Sequence, residues 1–461
     1  MTIPDPNFKS FCLSRYDSNH DGEISTSEAS SVTGVLYCRG RNIADLTGVE
    51  AFINILYLNC EFNLLTFLPD LSNLTQLRGL SCFRNNLQSL PDLSSLTNLE
   101  TLFCEENQLT SLPDLSGLVN LELLQCDRNQ LTALPVLSGL TDLRYLYCYS
   151  NQLTALPDLS QLTTLERLWC HNNPLISAPD LGGLVRLESL SLNYCQLATL
   201  PDLTSLASLK SLSCEGNALE ELPDLSMFTQ LEFLNCSNNQ LSTMPDISNL
   251  YFLKELHCGA NRLTSLPDLG NLSNLLELNC SYNRITQLPD FSGMTKLQIF
   301  TCDYNQLKSL PDLSGNTRML IMSFSGNQLT SLPDLSNLEI LHDIYCEDNQ
   351  LTSLPDLSNL EYFERLYCRN NRITDIGTVA ERPRLDRFDC RGNALEEDDC
   401  AALQAINAMP LTYFEYDAQG HNTLADFNAA LPQWLEASEF MSTWVQILTH
   451  RTYEYTLDCG F

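Results

Sequence analysis

Cysteine returns every 22 residues along most of this chain, and that period constrains the fold more than any other feature. Cys38, Cys60, Cys82, Cys104, Cys126, Cys148 and Cys170 keep the interval, and Cys214, Cys236, Cys258, Cys280 and Cys302 continue it. Cys346, Cys368 and Cys390 close the series, with Leu192 and Phe324 standing in at two rungs. A register held over seventeen rungs makes the length of 461 residues a poor guide to domain number. The chain must be read as stacked copies of one unit.

The unit has the form L-x-x-L-x-C-x-x-N-x-L-x-x-L-P-D-L-S-x-L-x-x, as in the run from Leu99 through Cys104 and Asn107 to Leu112-Pro113-Asp114-Leu115. Its first six residues alternate in hydrophobicity, which predicts a short strand with Leu and Cys inward and the intervening residues outward. The Asn three residues after each Cys (Asn63, Asn85, Asn107 and onward to Asn393) suits a sharp turn out of the strand, because its amide bonds nearby backbone. Cys195 takes that slot in the Leu192 rung. Pro-Asp-Leu-Ser is expected to open a short helical turn, Pro at its first position and Asp near its positive end. Parallel strands stacked at about 4.8 Å would then form an arc roughly 75–80 Å long. The predicted architecture is an α/β solenoid of about 17–18 parallel strands, with short 3-10 or helical turns on the convex side and helical caps.

These residues resemble the leucine-rich repeat, with Cys where the third leucine usually stands. The 22-residue length is similar to the internalin-type class of bacterial surface proteins, and the resemblance spans about residues 31–395. The resemblance implies a scaffold that binds a protein or a glycan on its concave sheet, without catalysis.

A solenoid needs both open ends covered. At the front, Asp17-Ser18-Asn19-His20-Asp21-Gly22-Glu23-Ile24-Ser25-Thr26-Ser27-Glu28 fits the calcium-loop pattern D-x-N-x-D-G-x5-E. Asp17, Asn19 and Asp21 would offer side-chain oxygens, Glu23 its carbonyl, Ser25 a direct or water-mediated contact, and Glu28 a bidentate carboxylate. An Asp/Asn/Gly-rich turn that binds nothing is the plainer alternative. A helix is expected before the loop, carrying Phe8, Phe11 and Cys12. The stretch Ile3–Phe8, this loop, and Ile43–Phe52 resemble the opening module of bacterial extracellular leucine-rich repeat proteins, which implies a secreted or cell-surface location. The first residues hold neither a basic region nor an apolar run, so the expectation is a cytoplasmic chain or one whose signal was removed. Three regions follow: an EF-hand-like cap at 1–30, the solenoid at 31–395 and a C-terminal cap at 396–461. In that last region a helix is expected over Glu397–Met409 and a degenerate rung at Leu411–Gln419. Trp434, Leu435, Phe440, Trp444, Ile447 and Leu448 would pack over the final rung, and Tyr453–Leu457 would form a strand. Cys400 and Cys459 lie off the lattice, which leaves a disulfide between them open.

The lattice itself argues for free thiols. In-register parallel neighbours hold their Cβ atoms about 4.8 Å apart, beyond the roughly 3.5–4.5 Å of a disulfide. A buried thiol acts as a small hydrophobe; the rival reading is a ladder for soft metals such as zinc or cadmium. A second column of thirteen aspartates runs from Asp70 to Asp356 with Val136 as its gap, and reads as a solvated convex edge or a weak divalent-cation surface. With 57 acidic against 25 basic residues, a formal charge of −32, the chain lacks the basic surface that nucleic-acid binding requires. No apolar stretch reaches the roughly 18–20 residues of a membrane span. The six histidines belong to no H-E-x-x-H, and neither a P-loop, a G-x-S-x-G nor a G-x-G-x-x-G is present.

Outward strand positions carry the functional signal, because the repeat does not dictate them. One cluster gathers Phe83, Phe103, Tyr145, Tyr147, Tyr149, Arg167, Trp169 and His171; exposed aromatics and Arg dominate binding hot spots. A second mixes charges with rings: Asp343, Tyr345, Glu347, Asp348, Arg365, Tyr367, Arg369, Arg387, Asp389 and Arg391. The first is the expected ligand-binding patch and the second a secondary candidate, with ordinary cross-strand ladders that stabilise the sheet as the plainer reading. The predicted function is a non-enzymatic interaction scaffold with one structural calcium site. The alternative is a metal-binding protein that uses the calcium loop and the thiol column.

Overall fold

The computed structural model describes residues 1–177, 179–379, 382–395, 406, 409 and 411–415. Among these, eighteen strands form one sheet in which each strand pairs in parallel with the next in sequence. Strands β1 (Gly34–Tyr37) and β2 (Ile55–Asn59) are the longest. Three-residue strands then recur every 22 residues from β3 (Gly79–Ser81) to β17 (Arg387–Asp389). The final strand, β18 (Tyr413–Glu415), comes from the expected degenerate rung and pairs with β17. The parallel register is direct, Leu146 opposite Leu168 and Tyr147 opposite Trp169, so equivalent residues of neighbouring units stack in columns.

Each unit closes its own core. Leu99, Leu102, Cys104, Leu109, Leu115 and Leu118 are fully buried, and the same positions repeat along the chain. Leu192 and Phe324 fill their rungs without exposure. Replacing one such leucine by alanine removes contacts within its unit and with both neighbours, at a cost of about 2–5 kcal/mol.

The Asn column ties units together. Asn63 Nδ2 donates to the carbonyls of Cys38 and Cys60, while its Oδ1 accepts from the amides of Arg41 and Ile43. Every buried polar atom of that side chain is therefore used, and the turn is sealed across two rungs. In the substituted rung, Cys195 Sγ lies 3.5 and 3.4 Å from the carbonyls of Cys170 and Asn193, so its single S–H replaces the two amide hydrogens of Asn. Two residues after each lattice position the backbone turns left-handed, as at Arg84, Glu106 and Arg128 (φ 50–51°). At Gly216 (φ 67°) a side chain would also strike the Tyr194 ring, so glycine answers two constraints there.

The convex side is made of turns. Leu74 N–H bonds Leu71 O, and Leu77 N–H bonds Leu74 O, each at 2.9 Å. Regular 3-10 helix forms only at Val49–Ala51 and Gly377–Val379 among the described residues. The aspartate of Pro-Asp-Leu-Ser accordingly serves a local turn: Asp70 Oδ1 accepts from Ser72 N–H at 2.9 Å and faces solvent. That bond holds the Asp70 carboxyl below its ordinary value.

At the N-terminal end, helix α1 (Pro6–Tyr16) begins with Asp5 as cap, its Oδ1 accepting from the amides of Asn7 and Phe8. Asp5 Oδ2 takes the Ala44 amide and fastens the helix to the first rung. Phe8, Phe11, Cys12 and Ile24 are buried and close the open end of the core against Val49 and Phe52. The expected helix at Glu397–Met409, the aromatic cap at Trp434–Leu448, the strand at Tyr453–Leu457 and the Cys400–Cys459 pair lie outside the described residues, Ile406 and Met409 excepted.

Candidate functional site

The loop at 17–28 folds as a tight oxygen-lined turn. Asp17 Oδ1 and Asn19 Oδ1 both accept the Asp21 amide, and Asp17 Oδ2 accepts Gly22 N–H at 3.0 Å. Asn19 Nδ2 lies 3.0 Å from Asp21 Oδ2, so these three heads share one small volume. Gly22 adopts φ +82°, and Ile24 is buried as the apolar anchor. Glu28 closes the loop from α2 (Thr26–Ser31): its Oε1 accepts from Ser18 and Asn19 amides, its Oε2 from Ser25 N–H and hydroxyl. Those donors, Ser25 first, hold the Glu28 carboxyl down at about 2. The Glu23 side chain turns away to Lys9 at 2.8 Å, which leaves its carbonyl as the donor on offer. An all-oxygen set of this spacing suits a hard cation of calcium's size.

The lattice thiols are buried, and Cys38 through Cys368 form no disulfide. Several lean on the carbonyl of the next strand, as Cys60 Sγ does on Ser81 O at 3.3 Å. Burial pushes Cys38, Cys214 and Cys258 up to about 12. A column of protonated thiols presents no ready thiolate to a soft metal.

On the open face of the sheet, β6 (Tyr145–Tyr147) and β7 (Arg167–Trp169) lie side by side. The Tyr147 and Trp169 rings are 4.7 Å apart, Tyr145 stacks on Tyr147 at 6.4 Å, and Tyr149 stacks on His171 at 4.3 Å and 9°. Arg144 and Arg167 stand over the Tyr145 ring at 5.4 and 5.6 Å. Hydrogen bonds fix the polar edges: Tyr145 hydroxyl to Glu166, Trp169 Nε1 to Ser189 Oγ, and His171 Nδ1 with Ser191 Oγ. Burial, then the charge of Arg128, lowers the His171 imidazole to about 4, so it is neutral at physiological pH. The structure thus gathers Tyr145, Tyr147, Tyr149, Arg167, Trp169 and His171 into one half-buried platform. It does not bring in the other two rings. Phe103 is separated from Tyr147 by the strand bearing Gln125, and Phe83 packs edge-on against Phe62 at 5.1 Å.

The second cluster is a ladder of matched charges. β15 (Asp343–Tyr345), β16 (Arg365–Tyr367), β17 and β18 stack Tyr345 on Tyr367 at 5.2 Å and Tyr367 near Tyr413 at 6.4 Å. Arg365 bonds buried Asp343 at 3.1 Å. Arg391 grips Asp389 through two nitrogens, at 2.9 and 2.6 Å, and also contacts Glu415. Arg387 reaches Asp386 at 3.8 Å, while Arg369 buries an Nε that lacks a partner.

Two features of this face were not apparent from the sequence. Beside the platform, Glu105 and Asp127 are buried on neighbouring rungs, and Asp127 is wholly inaccessible. Glu105 Oε2 and both Asp127 oxygens lack a well-aligned hydrogen bond, although Tyr149 and Gln125 lie close enough to favour ionised Asp127. Burial raises Glu105 to about 8 and Asp127 to about 6. The residue after each lattice cysteine looks outward by alternation, yet the turn into Asn folds it partly under the rim. Farther along, Glu255, His257 and Glu277 converge. The signal was available: the two glutamates are one period apart in the same outward column, with His257 two residues on from Glu255.

Comparison with known proteins agrees with this architecture. The family described as leucine-rich repeats (2 copies) matches residues 75–117, 119–161, 141–183, 163–205, 229–271 and 273–315. No curated protein matches the chain by sequence. Among solved structures, the functional domain of InlJ from Listeria monocytogenes, which includes a cysteine ladder, is 30% identical with a TM-score of 0.69, over 85% of this chain and 80% of that one. A leucine-rich repeat protein of Leptospira interrogans is 25% identical with a TM-score of 0.67, over 85% and 97%. YopM from Yersinia enterocolitica is 28% identical with a TM-score of 0.63, over 78% of each chain. No helix among the described residues is long and apolar enough to cross a membrane. A 22-residue parallel rung, a buried free-thiol column and this likeness lead to one conclusion: the chain belongs to the internalin-type leucine-rich repeat family.

Proposed function

We propose that the protein is an exported, non-enzymatic scaffold that binds a protein partner through the Tyr145–His171 platform. The observation that carries this reading is a contiguous set of aromatic rings on two rigid strands, with Arg144 and Arg167 at its edge. Aromatic and arginine side chains with fixed rotamers lose little entropy on docking and supply most of the energy at hot spots. The buried Asp127 beside the platform, ionised at neutral pH, and the charge of −32 favour a partner with a basic contact surface. The test is a Tyr147→Ala/Trp169→Ala chain used to capture partners from host and bacterial surface extracts alongside the wild type. A partner in hand should lose roughly thirtyfold or more in affinity, and its association should slow as salt rises. Unchanged affinity would move the site to the Arg365–Arg391 region. A glycan partner would show itself by binding that survives protease treatment of the extract.

Calcium at Asp17, Asn19, Asp21, Glu23, Ser25 and Glu28 would stabilise the N-terminal cap by binding only the folded loop. Millimolar calcium should raise the melting temperature of the wild type but not of Glu28→Gln. An equal rise in both would refute the site. Glu28 also caps α2, so the variant is expected to melt lower than the wild type even in chelator.

A further inference from the structure

The grouping on β11 (Glu255–His257) and β12 (Glu277–Asn279) serves neither the platform nor the calcium loop. His257 projects from the middle of the open sheet face and is 6% exposed, with the Phe233 ring 5.6 Å from its own. Its Nε2 lies 3.5 Å from Glu255 Oε2 and its Nδ1 3.9 Å from Glu277 Oε1. One ligating atom from each of the three residues falls within 4.8 Å of the other two. The two glutamates face each other across the parallel pair, so their charges repel at close range. Among the described residues no Lys or Arg pairs with either of them, and Lys254 is engaged with Glu232. A third carboxylate, Glu215, adds to the field on His257, but its oxygens already accept from Tyr194, Asn235 and Asn238.

Two unneutralised carboxylates against one buried imidazole is an arrangement that needs a cation. A proton on His257 is one answer, and Glu255 and Glu277 do raise that imidazole despite its burial. A divalent ion is the stronger answer, because it supplies two charges and binds all three donors at once. We propose that Glu255, His257 and Glu277 form a site for a divalent transition metal of the zinc type, on the open face of the sheet. One nitrogen and two carboxylate oxygens match zinc's preference for mixed ligands, whereas calcium would want six or more oxygens. A tetrahedral ion about 2.0–2.2 Å from each donor would hold the donors about 3.3–3.6 Å apart. Glu255 now approaches Nε2 and Glu277 approaches Nδ1, so besides drawing in, one of these two side chains, 28% and 17% exposed, must swing to the nitrogen that holds the ion. Three protein ligands leave a fourth position on the side away from the core, open to water or to a donor from a partner.

The experiment is titration of the full chain with zinc by calorimetry and with cobalt(II) by absorption. The wild type should bind one equivalent, and the cobalt spectrum should show weak d–d bands without thiolate-to-cobalt charge transfer. His257→Ala and Glu277→Gln should each weaken zinc by at least tenfold. Glu28→Gln, which alters the calcium loop and the α2 cap but no residue of this grouping, should bind zinc as the wild type does. His257→Asn, which keeps a polar group near the Nδ1 position and leaves a smaller cavity, replaces His257→Ala if the alanine compromises folding, as judged by circular dichroism. Zinc affinity unchanged in the folded variants, strong thiolate charge transfer, or no saturable zinc binding by the wild type would each overturn the proposal.

Discussion

The strands around β6 and those around β16 share one backbone and one repeat, yet they treat buried carboxylates in opposite ways. Near β16 and β17, Asp343 and Asp389 are matched by Arg365 and Arg391 on the same face. Near the aromatic platform, Glu105 and Asp127 are as deeply buried but no arginine pairs with them among the described ion pairs; Arg84 and Arg128 are spent on Glu106 instead. The first region pairs its buried carboxylates, although Asp343 Oδ1, Arg365 Nε and Arg369 Nε find no hydrogen bond. The second keeps a buried, unpaired Asp127 that is ionised at neutral pH beside a Glu105 that holds its proton, which is costly for folding and leaves one negative charge near the ring edges for a cationic partner. The core beneath both regions uses the same inward positions, with Ile344, Phe363 and Phe388 replacing leucines in the first, so the difference in charge belongs to the outward positions.

The comparison breaks most easily at Arg365. Removing it by Arg365→Ala strands Asp343, whose side chain is only 6% exposed, and should lower stability by about 2 kcal/mol. That figure sits below the usual cost for a broken buried pair because Arg365 itself is partly in solvent. Urea unfolding of the single variant and of Arg365→Ala/Asp343→Ala separates the two sources, since the double variant no longer carries a stranded charge and should recover part of the loss. Equal stability of wild type and Arg365→Ala would mean that this ladder is as loosely held as a surface pair.

The platform side predicts the opposite sign. Glu105 has a folded pKa of about 8, above its unfolded value near 4.5, so the folded chain holds the extra proton between those limits. Its contribution is therefore present at low pH, falls as pH climbs from about 4.5 to about 8, and stays lost above that. Glu105→Gln removes the slope and should gain at least about 1 kcal/mol at pH 9 while changing little at pH 4.5. Asp127, raised to about 6, leaves a smaller decline at the acid end of that window. Unfolding midpoints at the two pH values decide the matter; a loss of stability in Glu105→Gln at pH 9 would mean that the carboxylate has a counter-ion after all.

Much of this was legible in the sequence. The 22-residue period gave the strand register, the inward column and the Asn turn, because each is set by alternation and by backbone hydrogen bonding, which recur identically in every unit. Cys195 replacing Asn was readable for the same reason: a short side chain with a donor within reach of the turn carbonyls can fill the slot. What stayed hidden depends on side-chain reach across rungs. Alternation marks the position after each cysteine as outward, and cannot say that Asp127 ends up covered while Tyr149, one rung on, stays half exposed. Nor does it say that Phe103 and Tyr147 fail to touch, since one intervening strand with Gln125 is enough to part them. The meeting of Glu255, His257 and Glu277 needed rotamers as well as register.

The smallest expected effect is also the one that separates a binding platform from a stabilising ladder. Trp169 is half-buried: its ring leans on Tyr147 at 4.7 Å and its indole nitrogen donates to Ser189 Oγ at 3.0 Å. An exposed ring would cost almost nothing to delete, whereas these two contacts together are worth about 1 kcal/mol. Trp169→Ala should therefore lower stability by about 1 kcal/mol, half the loss expected at Arg365, because the Leu168 core and the backbone ladder under it are untouched. The same measurement on Tyr147→Ala should give a similar figure, and the double variant less than the sum, since either deletion already removes their shared contact. Losses of 3 kcal/mol or more would place the rings among the structural members of the sheet. Losses near 1 kcal/mol, together with a large loss of affinity, are what a surface selected for a partner should show.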